Sequence, residues 1–330
     1  MTIPGTDLEL AYLLPIKWQD EKMLPELSEY LSWLVDHAQV TVIDGSGPVA
    51  LARHAAAFPP EVQVIPCDPG LCLNGKVAGV LTALPALRAE KVIIADDDVR
   101  YDDVSLSRMN DLLDGHDLVR PQNHFVTGDG SPLPWHARWD TGRTLLNRAF
   151  ASDYPGTLGV RRTFLASGYD GDLLFENLEL IRTVLARGGR ALAADNLFVA
   201  RRPPAARWFL KQRVRQAYDS LAEPRRMAVE LTVLPAVLAT LRHPAGLLLG
   251  ATVVAATAER GRRRAGGRHI YPGTAALWSP LWLLERGVCS WLALGLRARG
   301  GVSYHGTRLS VAANSPATLR NRHRTEEPIP

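Results

Sequence analysis

The chain has 330 residues, 46% of them hydrophobic, enough for one large α/β domain with an appendage. Its three cysteines (Cys67, Cys72 and Cys289) form neither a zinc spacing nor an even disulfide framework, and the first residues show no basic leader followed by an apolar core, so a reducing, cytosolic side is expected. The net charge of +4 hides an asymmetry: residues 1–199 carry 17 basic and 27 acidic side chains, and residues 200–330 carry 21 and 7. The basic residues of the second stretch, nearly all arginines, are interleaved with long aliphatic segments rather than with base-stacking aromatics. This favours an anionic membrane surface over nucleic acid.

In chain order, Leu8 to Leu14 reads as a first buried strand. Leu24, Leu27, Leu31, Leu34 and Val35 follow at helical spacing. Val40 to Ile43 is a second strand, ending in Asp44, Gly45 and Ser46. A short helix over 49–57 and a strand over 62–65 come next, and Asn74, Gly75 and Lys76 open a helix that runs to Leu84. Val92 to Ala95 then runs straight into Asp96, Asp97 and Asp98. A continuous apolar run of this kind suits a strand covered on both faces. Three carboxylates at its end suit a hard divalent ion shared with a phosphate, where the simpler reading is a capped turn before the helix near Ser105. Strand and helix alternating at this spacing predict a doubly wound, mostly parallel sheet.

Beyond Leu118 the alternation loosens. Trp135, His136, Arg138 and Trp139 form an aromatic and polar cluster, 143–150 reads as helix, 153–157 as a turn and 158–161 as a short strand. A helix over 175–186 carries Glu176, Asn177 and Glu179. A strand near 197–199 leads to a basic helix containing Gln212, Arg213, Arg215 and Gln216. At Arg226 the composition shifts, so the chain divides into 1–226 and a hydrophobic, basic, helical region over 227–330. Val229 to Leu241 and Ala245 to Thr257 are apolar runs split by Pro244, each shorter than the roughly 20 residues that span a bilayer. Ala275 to Leu296 adds Trp278, Trp282 and Trp291. Tryptophan with arginine suits a membrane interface, against the plainer reading of an ordinary helical core. Residues 302–311, centred on His305 and Gly306, read as a hairpin, and the last ten or so residues as disordered.

The order Asp44-Gly45-Ser46, Asn74-Gly75-Lys76, Asp96-Asp97-Asp98, Glu176-Asn177 and Gln212-x-x-Arg215 resembles the family 2 glycosyltransferases over roughly residues 8–220. The style is that of the membrane-associated, ceramide glucosyltransferase-like branch. The resemblance implies a GT-A fold, the nucleotide-diphospho-sugar transferase type, with a C-terminal hydrophobic helical appendage. It further implies an inverting transfer from a nucleotide-sugar, UDP-linked rather than GDP-linked, to a hydroxyl acceptor such as a lipid at the cytoplasmic face of the membrane. On the same basis Asp44, Lys76, Asp96 and Asp97 would hold the nucleotide-sugar with Gln212 and Arg215, and Asp98 would hold Mg²⁺ or Mn²⁺.

Two positions depart from the family pattern. Asn177 stands where an aspartate base is usual and takes no proton, which moves the base to Glu176, or else to Glu179 or Asp172. Gln216 stands where a tryptophan follows the arginine, which leaves Trp135, His136, Arg138 and Trp139 as the acceptor candidates. Asn177 also keeps open a catalytically inactive, membrane-tethered nucleotide-sugar-binding protein. A GT-A-like nucleotidyltransferase would carry a glycine-rich loop after the first strand, where this chain has Leu14, Pro15, Ile16, Lys17 and Trp18.

Overall fold

The computed structural model describes residues 9–18, 20–150, 154–304 and 307–324. Leu8, Asp153, His305 and Gly306, together with the last six residues, lie outside the described residues. The chain forms two compact units. The first comprises 1–120, 155–192 and 314–330, and the second comprises 121–154 and 193–313.

The first unit begins with β1 (Leu10–Ile16), α1 (Leu24–Leu34), β2 (Gln39–Asp44), α2 (Pro48–Ala57), β3 (Gln63–Pro66) and α3 (Gly75–Ala83). It continues with β4 (Lys91–Ala95), the two-residue β5 (Val99–Arg100) and α4 (Asp103–Gly115). β3, β2, β1 and β4 lie side by side and parallel, with Tyr12 opposite both Val40 and Ile93. β1 and, after Lys91, β4 are apolar without alternation because helices cover both faces of a parallel sheet. All five residues of β4 are buried. β6 (Leu118–Phe125) and α5 (Trp135–Ala149) follow, and then β7 (Thr157–Arg161) returns antiparallel against β4, pairing Ile93 with Gly159, and takes β6 on its far side. A Cβ on Gly159 would come within 2.6 Å of Met109 Sδ, so glycine here lets α4 close on the sheet. Two helices, α6 (Arg162–Leu165) and α7 (Glu176–Ala186), complete this part, and β8 (Ala191–Arg201) carries the chain into the second unit.

The sheet is therefore mixed: the parallel core expected from the sequence is extended by antiparallel strands. The long β6 went unread because Pro121, Gln122, Asn123 and His124 break its apolar pattern. α7 is joined by the C-terminal segment, where α12 (Pro316–His323) packs on it. That segment reaches into the stretch expected to be disordered.

The second unit is helical around α5, with α8 (Ala206–Asp219), α9 (Pro224–Thr240), α10 (Pro244–Arg263) and α11 (Ser279–Ala298). Two short strands, β9 (Val302–Tyr304) and β10 (Thr307–Leu309), form the antiparallel pair expected there. The hydrophobic helices after residue 226 are not a separate appendage. α10 and α11 both pack on α5, and the compositional boundary at 226 falls inside this unit. The physical reason is close approach at two glycines, Gly142 of α5 against the backbone of Ser279 and Gly261 of α10 against the Leu145 carbonyl. At the centre lies Arg148, 1% exposed, which donates to the carbonyls of Gly261, Asp195 and Arg264 and to Gln122 Oε1. Its guanidinium also covers the rings of Phe198 and Tyr271. Among the described residues no helix is long and apolar enough to cross a membrane.

A methyl group at Gly261 would sit 1.9 Å from the Leu145 carbonyl oxygen. Gly261→Ala is expected to destabilise the protein by about 3 kcal/mol through overpacking, read as a fall in the thermal unfolding midpoint. An unchanged midpoint would show that α5 and α10 are free to separate.

Candidate active site

The carboxyl ends of β2, β3 and β4 and the starts of α3 and α7 meet in the first unit, the place where open α/β sheets bind ligands. β4 ends at Ala95, and the acidic triplet leaves it as a tight turn: the Asp96 amide donates to the Gly156 carbonyl (2.8 Å), and the Val99 amide donates back to Asp96 (3.1 Å). Strand alternation therefore does not govern where the three carboxylates go. Asp96 reaches Lys76. Asp97 accepts a hydrogen bond from the Trp18 indole, and its carbonyl takes the Arg100 guanidinium at 2.7 Å. Asp98 is half-buried beside them.

Lys76 is the second residue of α3, which Asn74 caps: the Asn74 side-chain oxygen accepts from the amides of Lys76 and Val77 (3.1 and 3.4 Å). Two amides of the first turn of α3 are thus occupied by this cap. Asn74 also donates to the carbonyls of Leu173 and Leu174, and its own amide bonds to the Gly171 carbonyl. These bonds fasten the start of α3 to the segment leading into α7. Gly171 permits the approach, since a Cβ there would lie 2.2 Å from Cys72 Sγ.

The result is a three-way meeting. Lys76 Nζ lies 2.6 Å from Asp96 Oδ1, 3.3 Å from Glu176 Oε1 and 3.5 Å from Asn177 Oδ1, and its side chain is only 14% exposed. Asn177 also donates to the Pro155 carbonyl at 3.0 Å. Burial opposes the ammonium charge. The attraction of Asp96 and Glu176, with hydrogen bonds to both, outweighs it and raises the lysine pKa well above its ordinary value. Lys76 is thus no solvated surface lysine.

The three acids considered as a base separate clearly. Glu176 faces Lys76. Glu179 is fully buried and accepts both the amide and the side-chain amide of Asn314 at 2.8 Å, and burial raises its pKa. Asp172 accepts the Leu73 amide at 2.9 Å.

Asp44, at the end of β2, is enclosed. One carboxylate oxygen accepts the Ser46 amide (2.7 Å) and the other lies 2.6 Å from Nδ1 of the buried His54. Trp18 meets His54 edge-on with ring centres 5.4 Å apart, and its amide donates to Ser46 Oγ. His54 and Trp18 were not legible as site residues. Each is a lone aromatic in an otherwise ordinary stretch, and only the fold sets them against Asp44 and Asp97.

The remaining candidates belong to the second unit. Arg215, on α8, covers the Tyr304 ring, and Gln212 is half-buried one turn earlier. Its neighbour Arg213 is buried against Asp140 and Glu285 and donates to Gln216, so the residue in the family tryptophan position serves that network. Trp135, His136 and Trp139 cluster on Phe209. His136 is buried and donates from Nε2 to the Pro204 carbonyl, and Arg138 is exposed and donates to the Leu133 carbonyl. Trp135 remains 45% exposed.

Among the described residues no group of three or more His, Cys, Asp or Glu side chains is set to hold a metal ion. Asp96 and Asp98 nevertheless offer hard oxygen donors at a strand end, and magnesium-type ions commonly take one or two protein carboxylates plus substrate phosphates. The donor set fits an ion that arrives with its substrate.

No family model matches the sequence, and no curated protein matches it. Among solved structures, a mannosyltransferase from Pyrobaculum calidifontis in complex with GDP-Man and Mn²⁺ is similar, with a TM-score of 0.52 and 17% identity over 86% of this chain and 87% of that one. A glucosyl-3-phosphoglycerate synthase from Mycobacterium tuberculosis in complex with Mn²⁺ and UDP-glucose shows a TM-score of 0.44 and 19% identity, covering 65% of this chain and 78% of its own. The likeness to the mannosyltransferase is one of fold. The α/β architecture expected from the motif order is the one the two chains share.

Lys76→Met would leave Asp96 and Glu176 facing each other without a cation. The expected loss is about 2 kcal/mol, between the values for exposed and enclosed ion pairs. Because the folded-state pKa is raised, the stabilisation is complete below the ordinary lysine value of about 10.4 and fades as pH rises beyond it. Unfolding midpoints of the two proteins should therefore differ by a constant amount from neutral pH to about 9 and converge in stronger alkali. A difference that vanished near neutrality would refute the pairing.

Proposed function

We propose that the protein is an inverting glycosyltransferase that moves a sugar from a nucleotide-sugar to a hydroxyl acceptor. The supporting observation is the meeting of Asp96, Lys76 and Glu176 at the carboxyl ends of the parallel strands. In this reading it is similar in style to the ceramide glucosyltransferase-like branch. The donor is a UDP-sugar, and the acceptor is a lipid hydroxyl at the cytoplasmic face of the membrane.

In this reading Glu176 accepts the acceptor's proton as that oxygen bonds to the anomeric carbon. The bond from that carbon to the diphosphate breaks on the opposite face, and the nucleoside diphosphate leaves with the bonding pair. The Lys76 ammonium, 3.3 Å away, holds the Glu176 carboxylate in place at the strand ends, where it would meet the acceptor hydroxyl. Asp96 and Asp97 orient the donor. Asp44 is assigned to the nucleotide side indirectly: its carboxylate, enclosed by His54 and the Ser46 amide, fixes the turn that follows β2. A bound Mg²⁺ or Mn²⁺, held by Asp98 with Asp96 beside it, would supply charge neutralisation for the departing diphosphate. Gln212 and Arg215, in the second unit, carry a diphosphate assignment on the resemblance alone, since a guanidinium matches paired oxygens. Of the four acceptor candidates, the exposed Trp135 offers a stacking face and Arg138 a donor, while His136 and Trp139 pack edge-on against Trp135.

Asn177 favours one other reading, a nucleotide-sugar-binding protein without turnover. Its amide bridges the Pro155 carbonyl and Lys76, a role that needs no proton chemistry.

Glu176→Gln keeps size and removes the proton acceptor. It is expected to lower kcat about 100-fold or more with donor affinity little changed, measured as nucleoside diphosphate release in the presence of membrane lipid. Normal turnover by this variant would remove Glu176 as the base. Donor binding without release from the wild type, across a range of nucleotide-sugars, would favour the inactive reading. Donor-induced thermal stabilisation should require Mn²⁺ or Mg²⁺ and weaken in Asp98→Asn. Stabilisation undiminished in EDTA would count against the metal assignment.

A further inference from the structure

α9 and α10 are joined by a short turn at residues 241–243, and between Glu230 and Ala258 no side chain is buried. The intervening residues are mostly leucine, valine and alanine, and Arg242 is the only charged one. Leu248 is 70% exposed and Leu249 65%, and Leu238, Leu241 and Val253 are similarly open. An apolar segment left unburied by its own fold marks a surface that something else covers.

The polar groups of the segment identify the cover. All four threonine hydroxyls donate back to their own helices: Thr232 to Val229, Thr240 to Ala236, Thr252 to Leu248 and Thr257 to Val253. Pro235 lies inside α9 and cannot donate to the Leu231 carbonyl, and the indole of Trp291 takes that carbonyl at 3.1 Å. These groups are satisfied without water or a partner, as a hydrocarbon environment requires. Exposure also runs through consecutive positions, 241–246 and 248–250, rather than along one face. A fluid leaflet can surround such a tip, whereas a flat protein surface covers one side. The flanks are basic. Residues 224–270 contain eight arginines and two glutamates, and both glutamates are paired, Glu230 with Arg226 and Glu259 with Arg262 and Arg263.

We propose that the α9–α10 pair lies flat on an anionic membrane leaflet, its 231–257 stretch sunk among the lipids and the arginines at its base bound to lipid phosphates. Arginine at both ends sets the orientation. Arg242 at the tip and Arg260, Arg263 and Arg268 at the base all reach headgroup level only if the helices lie along the surface, with long side chains extending up to the phosphates. This gives the membrane side of the proposed reading its docking element. It rests on that reading only for the acceptor's identity.

The test uses the full chain and vesicles of phosphatidylcholine with or without phosphatidylglycerol, and no sugar donor, so its outcome is independent of transfer activity. Wild type should float with the anionic vesicles and less with the neutral ones. Leu248→Glu/Leu249→Glu should partition about tenfold more weakly or worse, since two lipid-facing side chains become carboxylates. Unchanged circular dichroism would confirm that the variant is folded. Equal flotation of both proteins overturns the proposal by placing attachment elsewhere. Wild type left unbound by both vesicle types also overturns it, and a dimer dissociated by the same double substitution would then identify a second copy as the cover.

Discussion

One ammonium group ties the candidate site together. Lys76 stands between the carboxylate that ends the central strand and the one that opens α7. Two carboxylates brought this close repel unless a cation or proton lies between them, and a shielded lysine supplies the cation permanently. The arrangement depends on the Asn74 cap, which fixes where α3 begins and, through Leu173 and Leu174, how the approach to α7 is held. It depends equally on Gly171, where any side chain would push that approach away from Cys72. A catalytic reading of Glu176 is thus a reading of a network whose members come from three separate stretches of chain.

The second unit treats its polar and its apolar groups in opposite ways. In the second unit Arg148 is drawn wholly inside, where carbonyls and two aromatic rings offset the cost of enclosing a cation. Its value lies in joining α5 to the end of α10. Farther along α10 toward its start, the same unit leaves a long apolar stretch uncovered while satisfying its hydroxyls internally. A fold able to organise so many polar groups around Arg148 does not leave leucines in water for want of packing capacity.

Much of the α/β alternation was legible because a parallel strand covered on both faces leaves a continuous apolar run, as at Val92 to Ala95, and helices leave a 3.6-residue period, as at Leu24 to Leu34. β6 was not legible, since Gln122 and Asn123 are buried polar residues that break the pattern of a strand. Nor was the division into units. The composition changes at Arg226 because long apolar runs begin just after it, yet compactness follows contacts, and Gly142 and Gly261 draw α10 and α11 onto α5.

The sequence by itself determined the residue types: acids after the central strand, a lone lysine opening a helix, an asparagine where a base is usual, and an apolar stretch with a single charge. Only the tertiary structure decided which of them meet. Glu176 and Glu179 lie one helical turn apart and look equivalent in sequence. Glu176 turns to Lys76, while Glu179 is buried against Asn314, a residue that arrives from the far end of the chain. Local spacing fixes the face of a helix on which a carboxylate lies. The cation or amide that it finds there is supplied by long-range packing, which no local pattern encodes.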